Sequence, residues 1–200
     1  MYKRRQSLLP VGLHSSPHRF ESFDLGAVGS GEGGQAHGWG LYFARDKKIA
    51  EGYRAKLESE GNGALFEVDV PENDVLLDED KPLSEQPERV REAIAKYYNS
   101  RPDDYIATDK DHLGPPTGRA FLKDMTFQMR REGEEHPKKA VSLLLNSLGI
   151  KGITYLGERD GRCFVVFDDK SVSVIERYNQ EVTGQPLVRQ GLTRKPDSAQ

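Results

Sequence analysis

The sequence predicts an α+β fold, and three patterns carry that expectation. Ala64-Leu65-Phe66-Glu67-Val68-Asp69-Val70 alternates with period two, as a half-buried strand does. Val90, Ile94 and Tyr97 or Tyr98 fall on one helical stripe, and Phe121, Leu122, Met125 and Met129 on another. Apolar runs bounded by glycines and polar residues return near the end, at Gly152–Leu156 and Cys163–Asp168, and read as further strands. A chain of 200 residues fits one domain, here residues 1–179.

The elements follow in order. From Leu8 to Phe43 the chain is rich in Gly, His and aromatic residues with little helical periodicity, and Leu13-His14-Ser15-Ser16 reads as a strand end. Asp46 suits a helix N-cap, because its carboxylate can accept from an unpaired first-turn amide. Ile49, Tyr53 and Leu57 then share one helical face until Gly61-Asn62-Gly63 stops the helix. The alternating strand follows and ends at Pro71. Residues 72–135 are charged and mostly helical, and are expected to form a helical insertion or lid packed on the core. Within them Arg101–Pro116 is turn-rich and Thr117 suits a second N-cap. Pro137 fits a first helical turn, with Val141, Leu144, Leu145 and Leu148 as the buried face up to Gly149. After the two apolar strands, Ser171–Ile175 reads as a third beyond a short turn. Residues 180–200 have no apolar period and are expected to be a flexible tail, or a linker cut from a longer polypeptide.

Composition narrows the function classes. Lys+Arg 29 against Asp+Glu 32 gives a net charge of -3, which argues against a broad electrostatic grip on nucleic acid. No apolar run approaches the roughly 20 residues that span a bilayer. The basic start Met1-Tyr2-Lys3-Arg4-Arg5 has no apolar region behind it before Pro10, so neither a membrane nor a signal peptide is expected, and the expected location is cytoplasmic. A single cysteine, Cys163, excludes an intrachain disulfide and a cysteine-based zinc site.

The chemistry concentrates near the N-terminus. Gly29-Ser30-Gly31-Glu32-Gly33-Gly34 matches G-x-G-x-x-G by letters, but a dinucleotide loop needs a helix opening on it, and Gln35-Ala36-His37-Gly38-Trp39-Gly40 does not open one. The glycines suit a loop that approaches a ligand closely. A stronger signal is Gly38-Trp39-Gly40-Leu41-Tyr42-Phe43-Ala44, with Tyr53 eleven residues beyond Tyr42. A turn into a helix could bring the two rings to either side of a flat ligand.

With His14 upstream, these residues resemble the ADP-ribosyltransferase superfamily of the diphtheria-toxin and poly(ADP-ribose) polymerase type. The likeness is closest to the ADP-ribosyltransferase domains of phage and mobile-element polyvalent proteins and bacterial toxins. It extends to Leu77–Pro87 and to Phe164-Val165-Val166-Phe167-Asp168-Asp169, and covers about residues 8 to 179. The resemblance implies two antiparallel sheets packed around an NAD cleft, with flanking helices, and NAD as substrate with no metal. It implies mono-ADP-ribosyl transfer to a macromolecule with loss of nicotinamide, in a phage or toxin effector. The acceptor is expected to be a protein rather than a nucleic acid, given the net charge, and an immunity protein is a further implied partner.

Carried over by position, His14 would bond a ribose hydroxyl and Ser15 the nicotinamide amide, while Tyr42 and Tyr53 would sandwich the nicotinamide ring. Aromatic faces attract such a cation by ~0.5–2 kcal/mol each. Ser16, Gly40, Phe43 and Ala44 belong to the same cofactor-binding set, and Arg19 could reach the pyrophosphate. Two departures stand out. Ala50 replaces a hydroxyl residue one turn before Tyr53, and Cys163 falls where the family's final strand begins with glutamate. A thiol, with an ordinary pKa near 8.5, is a poor substitute for that carboxylate. Glu32 or Glu158 could supply one from a loop.

Plainer readings stand beside these. His14 alone could be a hydrogen-bonded structural histidine, Tyr53 a core residue on the Ile49–Leu57 stripe, Trp39 a core anchor or a lid, and His37 a loop residue. Arg19 could equally be a solvated surface arginine, the charged stretch Leu76–Arg91 reads as a solvated face or a contact for a protein target, and Cys163 as a small, inert strand residue. Two rival functions follow: an NAD glycohydrolase toxin, or a catalytically weak NAD- or ADP-ribose-binding module, which the cysteine at position 163 favours.

Overall fold

The computed structural model describes residues 9–16, 20–29, 35–45, 64–101, 115–157, 161–179 and 188–191. Its strands are β1 (Val11–Ser16), β2 (Leu41–Ala44), β3 (Ala64–Asp69), β4 (Leu76–Asp78), β5 (Gly152–Gly157), β6 (Gly161–Val166), β7 (Ser173–Asn179) and β8 (Val188–Gly191). They join in one sheet in the order β4-β5-β6-β2-β1-β3-β7-β8. The β4–β5 pair is parallel and the other pairs are antiparallel, so the fold is α+β with a mixed sheet. The expected pair of separate sheets is therefore not what the described strands form. Period-two patterning fixes which residues share a face, but says nothing about which strand edges meet.

The join at the middle is narrow. Six register pairs connect β1 to β3, from Val11↔Asp69 to Ser16↔Ala64, whereas β1 meets β2 at the single pair Leu13↔Ala44. A seam thus runs down the sheet between β1 and β2, with β2–β6–β5 antiparallel on one side and β1–β3–β7–β8 antiparallel on the other.

Among the described residues three helices cover one face: α1 (Glu88–Ser100), α2 (Gly118–Arg131) and α3 (Pro137–Leu148). Each forms where local signals say it should. Pro87 precedes α1, and its buried stripe is Val90, Ala93, Ile94 and Tyr97. Thr117 caps α2 by accepting from the Ala120 amide at 3.3 Å, and Phe121, Leu122, Met125 and Met129 point inward. Pro137 opens α3, and Gly149 closes it at a φ of 103°, a left-handed conformation that a Cβ would oppose. These stripes pack on Leu77, Ile153, Tyr155, Cys163 and Val165 of the sheet. Of the block 72–135, the described stretches carrying Leu77, Val90–Tyr97 and Phe121–Met129 thereby pack in the main core, and β4 lies at the sheet edge. Replacing Thr117 with alanine removes one cap and should cost about 1 kcal/mol, read as a lower urea midpoint at unchanged slope.

The opposite face carries its own core of Leu41, Phe43, Phe66, Val68, Phe164 and Val166, covered by Phe20, Phe23, Leu25 and Val28. Three strands lie where none was expected. β2 occupies Leu41–Ala44, in the segment for which only a turn into a helix was expected. β4 is three buried residues with no alternation to reveal it. β8 lies inside the supposed tail and pairs with β7, from Glu176↔Gly191 to Asn179↔Val188. A sheet edge offers free backbone amides and carbonyls, so even a segment without apolar period can pair there. β7 itself starts at Ser173 rather than Ser171, because Asp168 caps a short 3-10 turn over Asp169–Ser171 by accepting from the Lys170 amide.

Candidate functional site

Three sequence-distant segments meet at the seam. β1 carries His14, Ser15 and Ser16, β2 carries Tyr42, Phe43 and Ala44, and β6 carries Cys163; these strands are consecutive in the order β6-β2-β1. Ala44 is the shared neighbour, opposite Leu13 on one side and Cys163 on the other. Arg19, Glu32 and Tyr53 lie outside the described residues, as do Ala50, Glu158 and the expected Asp46–Leu57 helix.

Alternation along β2 divides the assembled residues between the two faces. Phe43 belongs to the phenylalanine-rich core and Tyr42 and Ala44 to the helix-covered one. His14 lies on the phenylalanine side. Its ring is walled by Phe20, Phe23, Phe43 and Phe66, with centroids between 5.2 and 6.5 Å away. Its Nδ1–H donates to the Tyr42 carbonyl across the seam at 3.0 Å. A carbonyl only accepts, so this bond fixes the proton on Nδ1 and leaves a lone pair on Nε2. Burial holds the imidazole pKa below its usual 6.5, the bond to Tyr42 opposing it. Ser15 is half-buried opposite Leu65, and Ser16 is buried opposite Ala64.

Tyr42 faces the other way and is held rigidly. Its hydroxyl donates to the Gly38 carbonyl at 2.8 Å and accepts from the His37 amide at 3.2 Å. Burial pushes its pKa up to about 12, with nearby Glu79 adding to the rise and the bonds to His37 and Gly38 opposing it. Gly40, expected to contact a ligand, packs closely against the Val166 carbonyl of β6. Trp39 is buried, with the Lys139 ammonium 5.0 Å from its ring centroid, and Lys138 Nζ donates to the Gln35 carbonyl at 2.6 Å. The first turn of α3 therefore pins the loop that leads into β2. Cys163 is buried in the helix-covered core, so a carboxylate there would have to be desolvated.

The pH dependence of stability follows from both groups. Below pH 6.5 the unfolded chain protonates His14 while the folded chain resists, so stability falls with falling pH down to the lowered native value. Above pH 10.0 the unfolded chain ionises Tyr42 while the folded chain keeps its proton, so stability falls with rising pH up to about 12. Urea midpoints across this range should show both limbs, and Tyr42→Phe should flatten the alkaline one.

The structure also gathers residues that sequence patterning placed on a solvated face. Glu79 follows β4 and is only 3% exposed. Its Oε2 accepts from His37 Nδ1 at 2.8 Å and meets Arg119 Nη2 at 3.3 Å. The His37 ring stacks on Tyr155, with centroids 3.6 Å apart and planes 12° from parallel. Alongside, Arg162 of β6 bridges Asp78 at 3.3 Å and Asp80 at 3.4 Å. The buried Gln86 amide sets this loop by accepting from the Asp78 amide and donating to the Asp78 and Lys81 carbonyls. The available signal was Leu76-Leu77 placed directly before three acids, a short buried strand delivering carboxylates at its C-terminal end. Among the described residues, no group of three or more His, Cys, Asp or Glu side chains is arranged to hold a metal ion, and no helix is long and apolar enough to cross a membrane. No protein-family model, curated protein or solved structure matches this chain.

Proposed function

We propose that this chain is an NAD-dependent mono-ADP-ribosyltransferase, with the fold of that superfamily opening at the β1–β2 seam. The observation that supports it is the adjacency of β1, β2 and β6, which brings the histidine strand, the Gly-Trp-Gly-Leu-Tyr-Phe-Ala segment and the final strand to one seam. Nothing in their sequence separation requires that neighbourhood. A second support is the locked Tyr42 ring, whose hydroxyl bonds preorganise an aromatic wall for a flat cationic ring.

In the proposed reaction the acceptor attacks C1′ of the nicotinamide ribose from the face opposite the leaving group. The C1′–N bond breaks, its electron pair leaves with neutral nicotinamide, and a proton is lost from the acceptor. Dipoles and negative charge near C1′ would stabilise the developing oxocarbenium. The proposed acceptor is a bacterial or target-cell cytoplasmic protein, and an immunity partner would fit an effector of this kind.

A second reading is a weakly catalytic NAD- or ADP-ribose-binding module. It is favoured by Cys163, a buried thiol where the superfamily's glutamate would fall. Following the fate of isotope-labelled NAD with and without bacterial lysate separates the readings. Label on macromolecules, with nicotinamide released, supports transfer. Nicotinamide release with label only on free ADP-ribose supports a glycohydrolase. NAD retention without release supports the binding module.

A further inference from the structure

Resting on the NAD-site reading, we infer that His37, held by Glu79, is the general base of this site. Four observations carry the assignment. Nδ1 of His37 lies 2.8 Å from a buried Glu79 oxygen, so Nδ1 carries a proton toward the carboxylate, and Nε2, which holds the lone pair of the neutral tautomer, is turned away from it. Nε2 makes no hydrogen bond to another described residue, and the side chain retains 22% exposure. The stack on Tyr155 fixes the ring plane. The His37 amide bonds the Tyr42 hydroxyl, so the dyad stands at the hydroxyl end of the ring assigned to the nicotinamide.

His14 has the surroundings of a structural histidine: its Nδ1–H bonds a backbone carbonyl and its ring is enclosed by four phenylalanines. His37 instead has the layout of a carboxylate–imidazole pair, in which the acid fixes the tautomer and stabilises the imidazolium that forms. The groups facing it are the Glu79 carboxylate, the Arg119 guanidinium that shares the same carboxylate oxygen, the Tyr42 hydroxyl and the Tyr155 ring. Gln86 fixes the loop that carries Glu79, so the pair is set before any ligand arrives.

In the step assigned here, the acceptor X–H gives its proton to Nε2 as X bonds to C1′ and nicotinamide leaves with the C1′–N electrons. The imidazolium, paired with Glu79 through Nδ1–H, then returns the proton to solvent. This supplies a basic group where Cys163 offers none.

The test uses the full-length protein and reads nicotinamide release together with equilibrium NAD binding. His37→Ala should lower turnover by about 10²–10⁴-fold, the usual contribution of a positioned acid–base group, with NAD binding changed by less than about threefold. Added imidazoles should restore part of the rate to His37→Ala, and the restored rate should rise with the basicity of the imidazole supplied. Filling a cavity would not produce that trend. Glu79→Gln keeps a hydrogen-bond acceptor for Nδ1 and should lose about 10-fold or more in turnover with NAD still bound. If His37→Ala proves unfolded by circular dichroism, His37→Gln, which preserves bulk and polarity, replaces it and must show the same loss. Wild-type turnover with His37 variants folded and within about threefold of it overturns the dyad alone. No nicotinamide release from the wild-type protein overturns the transferase reading and the dyad with it, and NAD still bound in that case leaves the binding-module reading standing.

Discussion

Replacing Gly40 with alanine should destabilise the protein by about 3 kcal/mol or more, at the upper end of the cost of overpacking. An alanine Cβ at this position would lie 2.5 Å from the Val166 carbonyl oxygen and 2.8 Å from Val165 Cγ1. Neither neighbour can retreat cheaply. Val166 is paired with Leu41 on one side and with Gly152 on the other, so moving its carbonyl disturbs two ladders at once. With typical domains stable by only about 5–15 kcal/mol, such a loss removes a large share of the total. Denaturant unfolding checks this directly. A Gly40→Ala protein with an unchanged midpoint that failed to bind NAD would give Gly40 a ligand-contact role instead of a packing one.

Tyr42→Ala should abolish NAD turnover, with a loss of at least about 100-fold, because it removes the wall against which the nicotinamide is proposed to stack. The same substitution empties space in the helix-covered core and leaves the His37 amide and Gly38 carbonyl without their hydroxyl partner. Deleting a buried aromatic costs about 3–5 kcal/mol, so lost activity alone would not separate site from fold. Tyr42→Phe makes the separation. It keeps the ring, removes only the hydroxyl, and should cost about 1–3 kcal/mol while holding turnover within about tenfold. A stable Phe variant without activity would shift the weight from the ring to the hydroxyl and its contacts with His37 and Gly38.

The helices were legible because their signals are local. Pro87, Thr117, Pro137 and Gly149 mark boundaries within a turn of where they act, and the Val90–Ile94 and Phe121–Met125 stripes show which side is buried. The strands β3, β5 and β6 were legible from apolar content, but the single sheet was not. Its order depends on backbone pairing between segments such as Leu41–Ala44 and Gly161–Val166, more than a hundred residues apart, and patterning carries no record of that. β4 escaped because three buried residues before an acidic run show no period.

The site divided along the same line. The Gly38–Ala44 segment and His14 stand out by residue type, and the fold sets their strands side by side. Their faces were not foreseen: His14 and Tyr42 sit on neighbouring strands yet lie on opposite faces, with the His14 ring bonded to the Tyr42 carbonyl. Glu79 looked like one more charge on a solvated face. Its burial is possible because His37 arrives from 42 residues upstream and Arg119 from helix α2, contacts that no local window contains. Burying a carboxylate without such partners would be strongly unfavourable, so the cluster identifies itself only in three dimensions.

The most direct measurement is nicotinamide release from NAD by the purified wild-type protein, compared with Tyr42→Phe and Tyr42→Ala and supplied with a bacterial lysate as acceptor. The account predicts release by the wild-type and Phe proteins, label transferred to lysate protein, and neither in the Ala variant. Wild-type protein that releases no nicotinamide, or an Ala variant that is folded and as active as wild type, would contradict it.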